Sequence, residues 1–122
     1  MPLTMNLGSM QWQSSCSKGS AEGSLRTTAY LIHVAEGVDA TARNEFAKLL
    51  TVPTVDGCLH APQTAIVHGT ALGDPEFSTM AQSGMSLVWS PRSNVFLYGA
   101  GTDLTKTTNV PLARSKGINV SL

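Results

Sequence analysis

The sequence predicts an α/β domain built on a parallel sheet. Short apolar runs rich in Leu, Ile, Val and Tyr alternate with segments of helical periodicity, and Gly, Pro and Asn mark the junctions between them. Each apolar run with a visible following loop also ends in polar residues, as strands do where a parallel sheet carries chemistry at its carboxyl edge. At 122 residues, 42% hydrophobic and 13% charged, the chain holds enough apolar material for one modest domain with a core.

Residues 1 to 24, rich in Ser, Gly, Gln and Met, follow neither period and read as a flexible or irregular segment, leaving 25 to 122 as the folded domain. A strand is expected from about Thr27 to Val34, in a run dense in β-branched and large apolar residues. Asp39 then caps a helix over about 40 to 50, in which Ala42, Phe46, Leu49 and Leu50 form the apolar stripe. Thr51 to Pro62, with two prolines and Gly57, is a connection, and His60 within it has no chemical neighbour.

Thr64 to Val67 is the second strand, closed by His68 and Gly69. Asp74 as N-cap and Pro75 in the first turn open a second helix with Phe77, Met80 and Ala81 on its inner face, and Gly84 stands where a terminating glycine belongs. Met85 to Trp89 forms a third strand, Ser90 to Asn94 a polar loop, and Val95 to Tyr98 a short apolar stretch before an irregular Gly- and Thr-rich run. Asn109 caps a helix from about Val110 to Lys116, Gly117 stops it, and Ile118 to Leu122 starts a fourth strand. The order strand, helix, strand, helix, strand, helix, strand implies right-handed crossovers and a sheet covered on at least one face.

Charge excludes some functions. Eight basic and eight acidic residues leave no net field, and no basic cluster is interleaved with aromatics, so neither nucleic acid nor an anionic membrane is an expected partner. No apolar run approaches a membrane span, the start lacks a secretory leader, and Cys16 and Cys58 make no Cys-x-x-Cys pair, so free thiols and a cytoplasmic location are expected. Gly99 to Thr107 ends in Lys106-Thr107 but lacks the glycines of a phosphate-binding loop, and no Gly-x-Ser-x-Gly elbow or zinc-deaminase Pro-Cys-x-x-Cys motif is present.

Chemistry gathers instead at the strand ends. His33 and Glu36 follow the first strand, His68 closes the second, and Ser90 to Asn94 follow the third. Two imidazoles and a carboxylate on one edge have the donor chemistry to ligate a divalent metal and to carry protons.

His33-Val34-Ala35-Glu36-Gly37, Ala65 to Leu72, Leu87 to Asn94 with Leu97-Tyr98-Gly99, and Gly117 to Leu122 are four segments that, in this order, resemble the metal-dependent amidohydrolases, in the branch containing cytosine and guanine deaminases and triazine chlorohydrolases. The resemblance covers residues 28 to 122 and implies a partial (β/α)8 TIM barrel whose strands correspond to the fifth to the eighth. By similarity, His33 is the metal ligand of the fifth strand. Glu36 is the general acid/base that takes a proton from the metal-bound water and returns it to the leaving nitrogen. By the same resemblance His68 sits by the metal and is expected with His33 among the metal-binding residues, polarising substrate or orienting the water, and Ser93 and Asn94 brace the site.

The resemblance also implies a divalent metal, zinc or iron, and a small-molecule substrate such as a heterocyclic amine. It further requires a His-x-His pair on the first strand and an Asp beyond the eighth, and neither stands in this sequence; Asp103 lies between the third and fourth strands and is no substitute. The expectation is therefore an amidohydrolase fragment, inactive as the isolated chain, hydrolysing a C–N or related bond only when completed. Its alternative is a non-catalytic half-barrel that acts as an assembly module or is a gene remnant. In either case exposed sheet edges favour homo-oligomers.

Overall fold

A computed structural model describes residues 29–51 and 59–122. The expected flexible segment, the start of the first strand, Cys16 and Cys58 all lie outside these residues. Among the described residues, β1 (Tyr30–Val34), β2 (Thr64–His68), β3 (Ser86–Val88) and β4 (Val120–Ser121) form one sheet in chain order, and every neighbouring pair is parallel. Helices α1 (Ala40–Thr51), α2 (Asp74–Gln82) and α4 (Val110–Ser115) are the crossovers, and α3 (Pro91–Tyr98) follows β3 directly. Parallel strands joined by helices in sequential sheet order are the architecture of a partial TIM barrel.

Alternation along the strands divides the sheet into two unlike faces. Ile32 pairs in register with Ile66, and Ile66 with Leu87, and this row joins one core with Tyr30 and Val34. The helices fill the same core with Phe46 and Leu49 from α1, Phe77 and Met80 from α2, and Ala113 from α4. The other face carries the row His33, Val67, Val88 and Ser121, with Leu31 59% exposed at its margin.

The sequence encodes the helix ends with unusual clarity. Asp39 Oδ1 accepts the Ala42 N–H at 2.8 Å, and Asn109 Oδ1 accepts that of Leu112 at 3.2 Å, each satisfying a donor that the first helical turn leaves free. Both Gly84 (φ 72°) and Gly117 (φ 87°) take the left-handed conformation that ends a helix. Beyond Gly84, Met85 N–H donates back to the Met80 carbonyl at 2.9 Å, and beyond Gly117, Ile118 N–H donates to that of Ala113 at 3.2 Å. All four of these flanking side chains are buried, so each cap is also a small hydrophobic contact.

Three sequence expectations are corrected. The N-cap of α2 is Gly73 rather than Asp74, because Glu76, in the first turn, reaches back to accept the Gly73 N–H at 2.9 Å and starts the helix one residue early. Ser90 to Asn94 is not a loop and Val95 to Tyr98 is not separate from it: Pro91 opens α3, which spans both. Its periodicity was illegible because Asn94 and Val95 are its buried residues, while Phe96 and Leu97 face outward. The third and fourth strands are also shorter than expected, since Met85 and Ile118 belong to helix caps.

Candidate functional site

The tips of β1 and β2 are built on two strained residues. Ala35, fully buried, has φ 58°, and His68 has φ 79°, conformations that cost a non-glycine residue about 1–2 kcal/mol. Hydrogen bonds hold both. The Ala35 N–H donates to Glu45 Oε1 of α1 at 2.8 Å, and its carbonyl accepts the Ala71 N–H at 3.2 Å. The His68 carbonyl accepts the Thr108 hydroxyl at 2.6 Å, while Gly69 N–H donates to the Val34 carbonyl at 2.9 Å and ties the two tips together.

This backbone brings the sequence-predicted residues into one corner. The rings of His33 and His68 lie 5.3 Å apart at a tilt of 46°. Glu36 Oε1 stands 3.7 Å from His68 Nε2, and Asn94 Nδ2 stands 3.2 Å from His68 Nδ1. His33 is exposed on the open face, Glu36 is partly exposed, and His68 is 5% exposed. Ser93 does not join them: among the described residues it has no hydrogen bond to His33, Glu36 or His68.

Burial pushes the His68 pKa below its ordinary value; the Glu36 carboxylate opposes that fall and neighbouring His33 adds to it. Nearby acidity also registers on Tyr98, whose phenol is raised first by burial and then by the charges of Glu36, Glu45 and Asp39. Asp103 is occupied locally. Its Oδ1 accepts both the backbone N–H and the hydroxyl of Thr105, at 3.0 and 2.6 Å, which lowers its pKa and leaves it a turn residue.

Sequence reasoning missed Glu45, Trp89, Thr107 and Thr108. Trp89 Nε1 donates to Thr107 Oγ1 at 2.8 Å, and Thr107 Oγ1 donates to Asn94 Oδ1 at 3.0 Å, so a run read as structure-breaking supplies polar support to the corner. Its signal was the paired Thr107-Thr108 before the Asn109 cap, which periodicity does not detect.

A metal centre is a separate question. Among the described residues no three His, Cys, Asp or Glu side chains are grouped to hold a metal ion. His33 and His68 bring two imidazoles near one another, which falls short of the three protein ligands an open catalytic zinc site uses.

No family model and no curated protein matches the sequence. Among solved structures, the chain is similar to the crystal structure of 5-methylcytosine deaminase from Klebsiella pneumoniae liganded with 5-fluorocytosine. The TM-score is 0.56 and the identity 21%, over 75% of this chain and 24% of the deaminase. The chain thus spans about a quarter of that protein's length, and at this identity the likeness is one of fold.

Proposed function

We propose that this chain is the part of an amidohydrolase-like hydrolase that handles the proton, in an enzyme releasing ammonia from a heterocyclic amine of the cytosine class. The observation that carries this reading is the meeting of Glu36, His33 and His68 at the tips of adjacent parallel strands, with Glu36 Oε1 3.7 Å from His68 Nε2. The fold likeness to a deaminase and the four segments that resemble amidohydrolases support it.

In this reading Glu36, partly exposed and so open to substrate, takes a proton from the attacking water and passes it to the leaving nitrogen as the C–O bond forms and the C–N bond breaks. His68, whose Nε2 lies 3.7 Å from that carboxylate, stabilises the developing oxyanion or orients the water. Asn94 holds the His68 ring. A zinc or iron ion enters this reading only with donors beyond those described, His33 being the ligand this chain contributes; the two histidines do not make the centre by themselves.

A second reading is favoured by the exposed Leu31 on the open face: a non-catalytic half-barrel that associates with itself or another chain. One experiment separates the two. The purified chain is mixed with a complementary barrel half carrying the His-x-His pair and the late Asp, with zinc or iron, and ammonia release from cytosine-class amines is followed. The catalytic reading expects turnover in the mixture, none by either half alone, and its loss with Glu36→Gln. A stable oligomer of the chain alone, with no turnover in any mixture, supports the module.

A further inference from the structure

Four polar contacts run in series from Trp89 to Glu36. The indole Nε1 lies 2.8 Å from Thr107 Oγ1, Thr107 Oγ1 lies 3.0 Å from Asn94 Oδ1, Asn94 Nδ2 lies 3.2 Å from His68 Nδ1, and His68 Nε2 lies 3.7 Å from Glu36 Oε1. The ends of this series are chemically fixed. An indole N–H can only donate, and a carboxylate can only accept.

The direction of every intervening bond follows from those ends. Thr107 accepts from Trp89, so its own proton goes to Asn94 Oδ1. The Asn94 amide group then presents Nδ2–H to His68, whose Nδ1 must be the bare, accepting nitrogen. The ring proton is left on Nε2, facing the carboxylate.

Reversing the Asn94 amide gives a worse arrangement at both ends. The Thr107 hydroxyl proton loses its acceptor, and a bare Nε2 confronts the Glu36 oxygen, lone pair to lone pair. Asn94 itself is fully buried and Thr107 half-buried, so in the reversed arrangement only solvent could take the Thr107 proton, whereas Asn94 Oδ1 accepts it at 3.0 Å as the amide stands. Backbone geometry reinforces the alignment, because the residue after Thr107 clamps the His68 carbonyl: Thr108 Oγ1 donates to it at 2.6 Å. One dipeptide therefore fixes both the main chain and the ring.

We infer that Trp89, Thr107 and Asn94 are positioning residues that lock His68 into the tautomer with the proton on Nε2, making it a hydrogen-bond donor to the site and not a metal ligand. His33 is then the sole imidazole of the corner with free coordination chemistry. The relay is independent of whether the chain hydrolyses a C–N bond, and its test uses no substrate.

Long-range 15N–1H NMR of the full chain with labelled histidine reads the tautomer directly, His68 being assigned by the signal lost in His68→Gln. The expected spectrum, above the pH at which the ring protonates, shows His68 protonated on Nε2 and bare on Nδ1. Asn94→Asp replaces the donor by an acceptor and moves the proton to Nδ1, with loss of the Nε2–H signal. Thr107→Val, a gentler change, mixes the two forms. Protonation on Nδ1 in the unaltered chain overturns the inference, and so does an unchanged tautomer in folded Thr107→Val. Because the unaltered chain already decides the matter, a variant that fails to fold does not rescue the idea.

Discussion

The helix-covered layer and the carboxyl edge of this sheet are held together in different ways. In the layer, Phe77, Met80, Ile66, Leu87 and Leu59 are fully buried and share many non-directional contacts, so the interior depends on volume and shape. At the edge, two strained residues, one of them the buried His68, depend on single hydrogen bonds with fixed donors and acceptors. Losses in the layer spread over many neighbours. At the edge, one substitution can redirect a proton with little change in packing.

The contrast breaks most visibly at Phe77. Phe77→Ala leaves a cavity in the layer and is expected to cost about 3–5 kcal/mol in chemical denaturation, while any molecules that remain folded keep the His68 tautomer. Next in size is Glu45→Ala, which strips the acceptor from the buried Ala35 N–H and should cost about 1–3 kcal/mol. Unlike the core variant, it should also shift the backbone amide signals of Ala35 and Glu36 in a folded sample.

Acid sharpens the same comparison with a smaller effect. His68 and His60 are both pushed below the ordinary histidine value of 6.5, His60 by burial and His68 by burial with His33 adding and Glu36 opposing. The unfolded chain therefore takes up protons first, so stability is fully present above pH 6.5 and declines as pH falls through the lower folded values. Denaturation midpoints measured from pH 7.5 to 5 should fall. A flat profile would mean that neither ring is held neutral by the fold. The smallest expected change is Leu31→Ser on the open face, within about 0.5 kcal/mol of the parent; a larger loss would show that this face is covered in solution by another copy.

The layer was legible in the sequence and the edge only in part. Phe46, Leu49, Phe77 and Met80 announce themselves by helical spacing, and Asp39, Asn109, Gly84 and Gly117 by their places beside it. His33, Glu36 and His68 were identifiable because strand ends in parallel sheets gather chemistry, and the structure does bring them together. Trp89, Thr107 and Glu45 were not. Their contribution depends on contacts across 18, 13 and 10 residues, which no local period records. Helix α3 escaped for a different reason: it buries an asparagine and turns Phe96 and Leu97 outward, inverting the usual amphipathic signal. Ser93, which the resemblance pairs with Asn94 as a brace, precedes it on the same helix, and among the described residues it has no hydrogen bond to His33, Glu36 or His68.

In the proposed reaction Glu36 carries the proton at this corner. The most direct test of that role is the rate of ammonia release from a cytosine-class amine by the chain reconstituted with a complementary barrel half, compared between the unaltered sequence and Glu36→Gln. General acid–base catalysis by a positioned carboxylate predicts a fall of about 10²–10⁴-fold with assembly unchanged. A Glu36→Gln rate within about twofold of the parent, against that same expectation, would show that Glu36 does not carry the proton.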